Sequence, residues 1–130
     1  MAEKITLLLV DDEALILNLL DLALTDAGFA VVTASDAKTA IAKLDDPKTP
    51  LAGIITDIRI GDGANGWDVA RHARELDPAF PVVYMTGDSA QDWSAYGVPN
   101  SAIVPKPFVV AQVITAISTL LNSAAENTQG

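Results

Sequence analysis

At 130 residues, half of them apolar and 19% charged, the chain has the size and composition of one folded domain rather than of a disordered segment. Seventeen acidic against eight basic residues leave a formal net charge of −9, which disfavours nucleic-acid backbones and anionic membrane surfaces and suits cations or basic partners. The absence of cysteine excludes disulfides, thiol nucleophiles and thiolate metal sites.

Short apolar runs alternate with helical periodicity along the chain. Ile5–Val10 has the length and continuous apolar character of a strand buried on both faces. Leu15, Ile16, Leu19, Leu20, Ala23, Leu24 and Ala27 then recur at helical spacing, and Gly28 supplies a stop. Phe29–Ala34 is the second predicted strand. Ser35 or Asp36 can cap a helix carrying Ala37, Ala40, Ile41 and Leu44, which Asp45-Asp46-Pro47 ends.

Gly53–Thr56 is the third predicted strand, followed by the glycine-rich loop Gly61–Gly66 and a helix from Trp67 to Leu76. Pro81–Thr86 and Ala102–Pro105 are the fourth and fifth strands. Between them, Gly87–Ser101 supports only a poor helix, broken by Gly97 and Pro99 and anchored by Trp93 and Tyr96. Val110, Val113, Ile114, Ile117, Leu120 and Leu121 form the stripe of a last helix. The domain is expected over 1–122, with 123–130 as a flexible, frayed tail. Trp67 and Trp93 are expected as packing anchors, and His72 as a solvated helix residue without a role.

Five strands alternating with helices predict a single α/β domain with a doubly wound, parallel five-stranded sheet. Ligands bind such sheets at the carboxyl ends of the strands. Asp11 and Asp12 follow strand one and Asp57 follows strand three. Thr86 ends strand four, and Lys106-Pro107 follows strand five. With strand two at an edge, as in the order 2-1-3-4-5, these residues converge on one crevice.

Each has an ordinary reading by itself. An Asp pair before a helix commonly caps it, a lone Asp after a strand is commonly a turn residue, and a lysine in a loop is commonly solvated. Four such coincidences at the right strand ends are less probable than one shared site.

Gathered carboxylates repel one another by about 4 kcal/mol per pair at ~4 Å and an effective dielectric of ~20. Such a cluster requires a cation or a shared proton. With no His or Cys nearby the ligands are oxygen-only, which selects a hard cation such as Mg²⁺. A metal beside Asp57 would let an anionic phosphoryl group approach, and the carboxylate could then act as nucleophile. Lys106 would add fixed positive charge and Thr86 a hydroxyl donor.

Leu-Leu-Val-Asp11-Asp12-Glu13, Ile-Ile-Thr-Asp57, Met-Thr86-Gly87 and Val-Pro-Lys106-Pro107-Phe108 together resemble the receiver domain of bacterial response regulators (the CheY-like family), in order from about Ile5 to Leu121. The resemblance implies the flavodoxin-like order 2-1-3-4-5 and Asp57 as phosphoacceptor from a sensor histidine kinase. It also implies Asp12, Asp57 and the Arg59 backbone carbonyl as Mg²⁺ ligands, with Asp11 acting through water. Lys106 and Thr86 would hold the phosphoryl oxygens, and the Lys106–Pro107 bond would be cis.

The chain departs from the family pattern in two places. The usual Met-Pro turn after the phosphoacceptor is absent, and the loop is longer by about one residue. Ile103 stands where the family often has Tyr or Phe, so an aromatic swing there is unavailable. Arg59 and Asp88 are expected to flank the crevice mouth and pair, slowing water and lengthening the life of the aspartyl-phosphate.

No charged residue lies between Pro107 and Ala125. Ala111, Thr115, Ser118, Thr119 and Asn122 would thus present a small-residue face to a partner or to a second copy as a homodimer. With no recognition helix or kinase motif in the sequence, output through protein–protein contacts is expected. The beginning at Met1 and the polar tail suggest a stand-alone cytoplasmic receiver rather than a piece of a hybrid histidine kinase.

The nearest alternative in another class is a Mg²⁺-dependent phosphohydrolase with an aspartyl nucleophile. That class needs Asp-x-Asp after strand one, where this chain has Asp11-Asp12-Glu13. A flavodoxin-like electron carrier lacks support because no Ser/Thr/Gly-rich loop follows strand one. A degenerate binding module fits poorly because all five site positions are intact.

Overall fold

A computed structural model describes residues 4–61, 64–87 and 90–129, with side chains as far as Ala124. The elements in chain order are β1 (Thr6–Val10), α1 (Ala14–Asp26), β2 (Ala30–Ala34), α2 (Ala37–Asp45), β3 (Gly53–Asp57), α3 (Gly66–Leu76), β4 (Val82–Thr86), α4 (Trp93–Tyr96), β5 (Ala102–Pro105) and α5 (Val110–Gln129). All strand pairs are parallel and the order is β2-β1-β3-β4-β5, as expected.

Period-two alternation along the central strands sorts the core into two layers. Leu8, Val10, Ile54, Val82 and Tyr84 face α2 and α3, where Ala37, Ala40, Trp67, Val69 and Ala73 cover them. Leu7, Leu9, Ile55, Val83 and Met85 face α1 and α5, packing on Leu20, Leu24, Val113 and Ile117. Burial on both sides is why β1, β3 and β4 are apolar without alternation. Among the described residues no helix is long and apolar enough to cross a membrane.

Strand limits agree with the sequence reading to within a residue, but other details differ. Asp36, not Ser35, caps α2, its Oδ1 accepting from the Thr39 amide at 2.7 Å. The poor helix of the Gly87–Ser101 stretch resolves into a short 3-10 turn at Ala90–Asp92 and the single turn of α4. The backbone of α5 stays helical to Gln129, so the expected frayed tail is corrected over 123–129. The apolar stripe ends at Leu121, whereas the Ser-Ala-Ala-Glu stretch beyond it still tolerates or favours helix.

His72 also departs from its expected solvated state. Its Nε2 lies 2.6 Å from Asp45 Oδ1 and so bridges α3 to α2. Arg74 ties turns together at the amino-terminal end of the sheet. Its Nε donates to the Phe80 carbonyl at 2.6 Å, and its other nitrogens donate to the carbonyls of Pro99 and Asn100. Burial pushes the guanidinium pKa down, while Tyr84 and Asp77 oppose that shift.

Candidate metal and phosphoryl site

Parallel strands that end in polar residues deliver those residues to one rim. β1 runs directly into Asp11 and Asp12, β3 ends on Asp57, β4 ends on Thr86, and Lys106 follows β5. Asp11 is fully buried, Thr86 and Asp57 are nearly so, and Asp12 is exposed. One carboxylate oxygen from each of Asp11, Asp12 and Asp57 lies within 4.8 Å of the others. The crevice expected from the sequence is therefore present.

Lys106 is the counter-charge. Its Nζ lies 3.0 Å from Asp57 Oδ2, 3.2 Å from Asp11 Oδ2 and 3.6 Å from Glu13 Oε1. The Lys106–Pro107 peptide is cis, as expected, and the Lys106 amide donates to the Thr86 carbonyl at 2.6 Å. The ends of β4 and β5 are thereby held together.

The second oxygens of the buried acids are also used. Asp11 Oδ1 accepts from the Glu13 amide and Asp57 Oδ1 from the Ile58 amide, each at 2.8 Å. Asp11 is thus turned into the crevice rather than capping α1. Glu13 is the N-cap residue of α1, without a side-chain capping bond.

The electrostatics follow from one ammonium facing two buried carboxylates. Burial raises the Asp11 and Asp57 pKa values above the ordinary 3.8, more than Lys106 and the neighbouring amides can offset. Burial works against the Lys106 ammonium too, but Asp57 and Asp11 outweigh it and hold its pKa above the ordinary value. Three clustered carboxylates with one ammonium leave negative charge to be neutralised. The all-oxygen donor set fits a hard divalent cation, and Asp12 is its exposed member.

Asp12, Glu13, Asp57, Arg59, Thr86, Gly87 and Lys106 line an open cleft of about 330 Å³. A larger depression of about 500 Å³ beside Arg74, Pro78 and Leu120 is lined, among the described residues, by no carboxylate. Arg59 is at the cleft mouth, as expected. Its expected partner Asp88 lies outside the described residues.

Two contributors were not identified from the sequence. Glu13 reaches Lys106 from the turn into α1, a contact that its place directly after the Asp pair could have suggested. Gly66 packs its backbone against Asp57 and Ile58 at the end of β3. A Cβ there would lie 2.3 Å from the Asp57 carbonyl oxygen, and a lone glycine opening an amphipathic helix was the available signal.

Comparisons with known proteins agree with this geometry. Residues 7–118 match the profile of the response regulator receiver domain. A response regulator receiver protein from Sinorhizobium medicae shares 48% identity, with a TM-score of 0.91 covering 94% of this chain and 98% of that one. Among curated proteins, the transcriptional regulatory protein TrcR of Mycobacterium tuberculosis is 33% identical over 93% of this chain and 47% of its own length. CusR of Escherichia coli, also named a transcriptional regulatory protein, is 31% identical over 92% of this chain and 52% of its own. The chain thus spans about half the length of these curated relatives. With its strand order, acidic cluster and family match in agreement, this chain belongs to the response regulator receiver domain family.

Proposed function

We propose that this protein is a cytoplasmic response regulator receiver that accepts a phosphoryl group on Asp57 from histidine and signals through protein contacts. The observation that carries this reading is Lys106 Nζ at 3.0 Å from Asp57, inside a cluster of three carboxylates. Asp12, Asp57 and the Arg59 carbonyl would hold Mg²⁺, with Asp11 acting through water. The bound ion would neutralise carboxylate charge and receive a phosphoryl oxygen.

The remaining chemistry belongs to the chain. Asp57 Oδ1 is held by the Ile58 amide, which fixes the plane of the carboxylate. Attack of an Asp57 oxygen on phosphorus forms the new O–P bond as the donor's P–N bond breaks and imidazole leaves. Lys106 and the Thr86 hydroxyl would take the charge on the phosphoryl oxygens. Hydrolysis returns the Asp57 carboxylate and inorganic phosphate. The protein promotes only its own phosphorylation and dephosphorylation, and Arg59 at the mouth would slow the entry of water. Asp11 is fully buried and its two oxygens are taken by the Glu13 amide and Lys106, which disfavours it as the nucleophile of a phosphohydrolase.

The test is incubation with acetyl phosphate, with and without Mg²⁺, read by intact mass. A gain of one phosphoryl group that requires Mg²⁺ is expected, and no gain under either condition would refute the reading.

The donor must rest on the rim of the cleft, and α1 begins there. Leu15, Leu19 and Leu22 recur at helical spacing along one face of α1 and are 83%, 51% and 66% exposed. We assign this face to the histidine-bearing partner. Leu19→Asp should slow transfer from a histidine-phosphorylated donor protein about tenfold or more, a loss of ~1.4 kcal/mol. Uptake from acetyl phosphate should be unchanged. Of the small-residue face expected on α5, Ala111, Thr115, Thr119 and Asn122 are exposed and Ser118 is half-buried, beside a groove of about 470 Å³ against β5. It suits a downstream protein or a second copy.

A further inference from the structure

Ile103, where the family resemblance leads one to expect an aromatic ring, pairs in register with Tyr84 on β4. The ring is thus one strand further in. Tyr84 is fully buried and lies on the same side of the sheet as Thr86, two residues along the same strand. Its hydroxyl accepts from the Val98 amide at 3.1 Å, just beyond α4. Its ring centroid is 4.7 Å from that of Trp67, and Trp67 is 6.1 Å from Tyr96 in α4.

The other end of this chain of contacts is at the phosphoacceptor. Trp67 directly follows Gly66, whose amide donates to the Ile58 carbonyl at 2.7 Å. The missing Cβ lets the backbone of Gly66 rest on the Asp57–Ile58 peptide with no side chain between them. Asn65 and Asp68 exchange capping bonds on either side of Gly66 and Trp67, so the first turn of α3 is held in one shape. A displacement of the Asp57–Ile58 backbone is therefore passed to the Trp67 ring rather than absorbed by a flexible side chain.

α4 is suited to respond. It is a single turn, and its N-cap residue Asp92 makes no side-chain capping bond. So short a helix has little stability of its own, and its contacts set its position. At its first residue, Trp93 donates to Ser101 Oγ at 2.9 Å, and that hydroxyl donates to the Val98 carbonyl at 2.6 Å. The Val98 amide, held by Tyr84, completes the attachment.

We propose that Trp67 and Tyr84 form an aromatic relay that couples the phosphorylation state of Asp57 to the position of α4, in place of a ring at residue 103. The inference rests on Asp57 being the phosphoacceptor. Its output is at Tyr96, whose ring leans on Trp67 from within and is half exposed to a partner.

The experiment uses the full chain with Mg²⁺, with and without acetyl phosphate. Intact mass reports occupancy and hydrogen exchange reports residues 90–98. In the wild type, phosphorylation should change exchange in that segment about fivefold or more, the low end of ordinary coupling between sites. Trp67→Leu should still take up the phosphoryl group but lose the exchange response. Tyr96→Ala should do the same, and this half-exposed position keeps the test independent of core packing. Ile103→Ala should keep both uptake and response.

A phosphorylated wild type with unchanged exchange at 90–98 would overturn the relay and leave the phosphoacceptor reading standing. A response that persists in both ring variants, or that Ile103→Ala abolishes, would overturn it equally. Absence of any mass gain in the wild type would overturn the phosphoacceptor reading and the relay with it.

Discussion

Asp57→Asn should reduce phosphoryl uptake from acetyl phosphate to background and, in EDTA at neutral pH, raise the melting temperature by a few degrees. The first effect removes the nucleophile. The second follows from the crowding of Asp57 with two other carboxylates around one ammonium. Burial raises the folded-state pKa of Asp57 above its ordinary value of 3.8, so ionisation is less favourable in the folded chain than in the unfolded one. A carboxyl of this kind adds its stability below the unfolded pKa and loses it as pH rises through the folded one.

In EDTA the stability advantage of the Asn variant should therefore be present at neutral pH. It should shrink as pH falls through the raised pKa and be gone below about 3.8. Mg²⁺ should stabilise the wild type more than the variant, because the ion binds the carboxylate form. Thermal melts of both proteins across this range, with and without Mg²⁺, check the sign. A wild type more stable than Asp57→Asn in EDTA would show that Lys106 more than compensates the buried charge.

Lys106→Met should slow uptake from acetyl phosphate by about 10²- to 10³-fold, the usual cost of removing one preorganised charge donor from a reacting oxyanion. The same variant should bind Mg²⁺ more tightly, by about tenfold or more, because the ammonium at 3.0 and 3.2 Å competes with the ion for Asp57 and Asp11. Opposite changes in metal affinity and uptake separate a charge donor from a structural prop. In EDTA, loss of the counter-charge should also destabilise the fold by about 3 kcal/mol. A mass time course, a Mg²⁺ titration and a denaturant melt measure the three quantities. Parallel loss of Mg²⁺ binding and uptake would point instead to collapse of the crevice.

The architecture was legible because the strands of a sheet covered on both faces are short apolar runs, each ending in the residue that faces the cleft. β1, β3 and β4 carry this signal in Leu7–Val10, Ile54–Thr56 and Val82–Met85, and the polar residue following each run is a site residue. Features that depend on two distant segments were not legible in that way. The pairing of His72 with Asp45 needs α2 and α3 side by side, which composition does not encode. Tyr84 looked like any residue of an apolar strand, and only the fold sets its hydroxyl on the Val98 amide. The end of α5 was misplaced because periodicity reports what a helix buries, not how far its backbone continues.

The Arg74 grip on Phe80, Pro99 and Asn100 has a consequence for how this domain can move. It ties α3 to the two turns that lead into β4 and β5, at the pole away from the carboxylates, so the bases of these strands are held together. Under the proposed relay, strain introduced at the opposite pole would be released outward along the short arm that carries Tyr96.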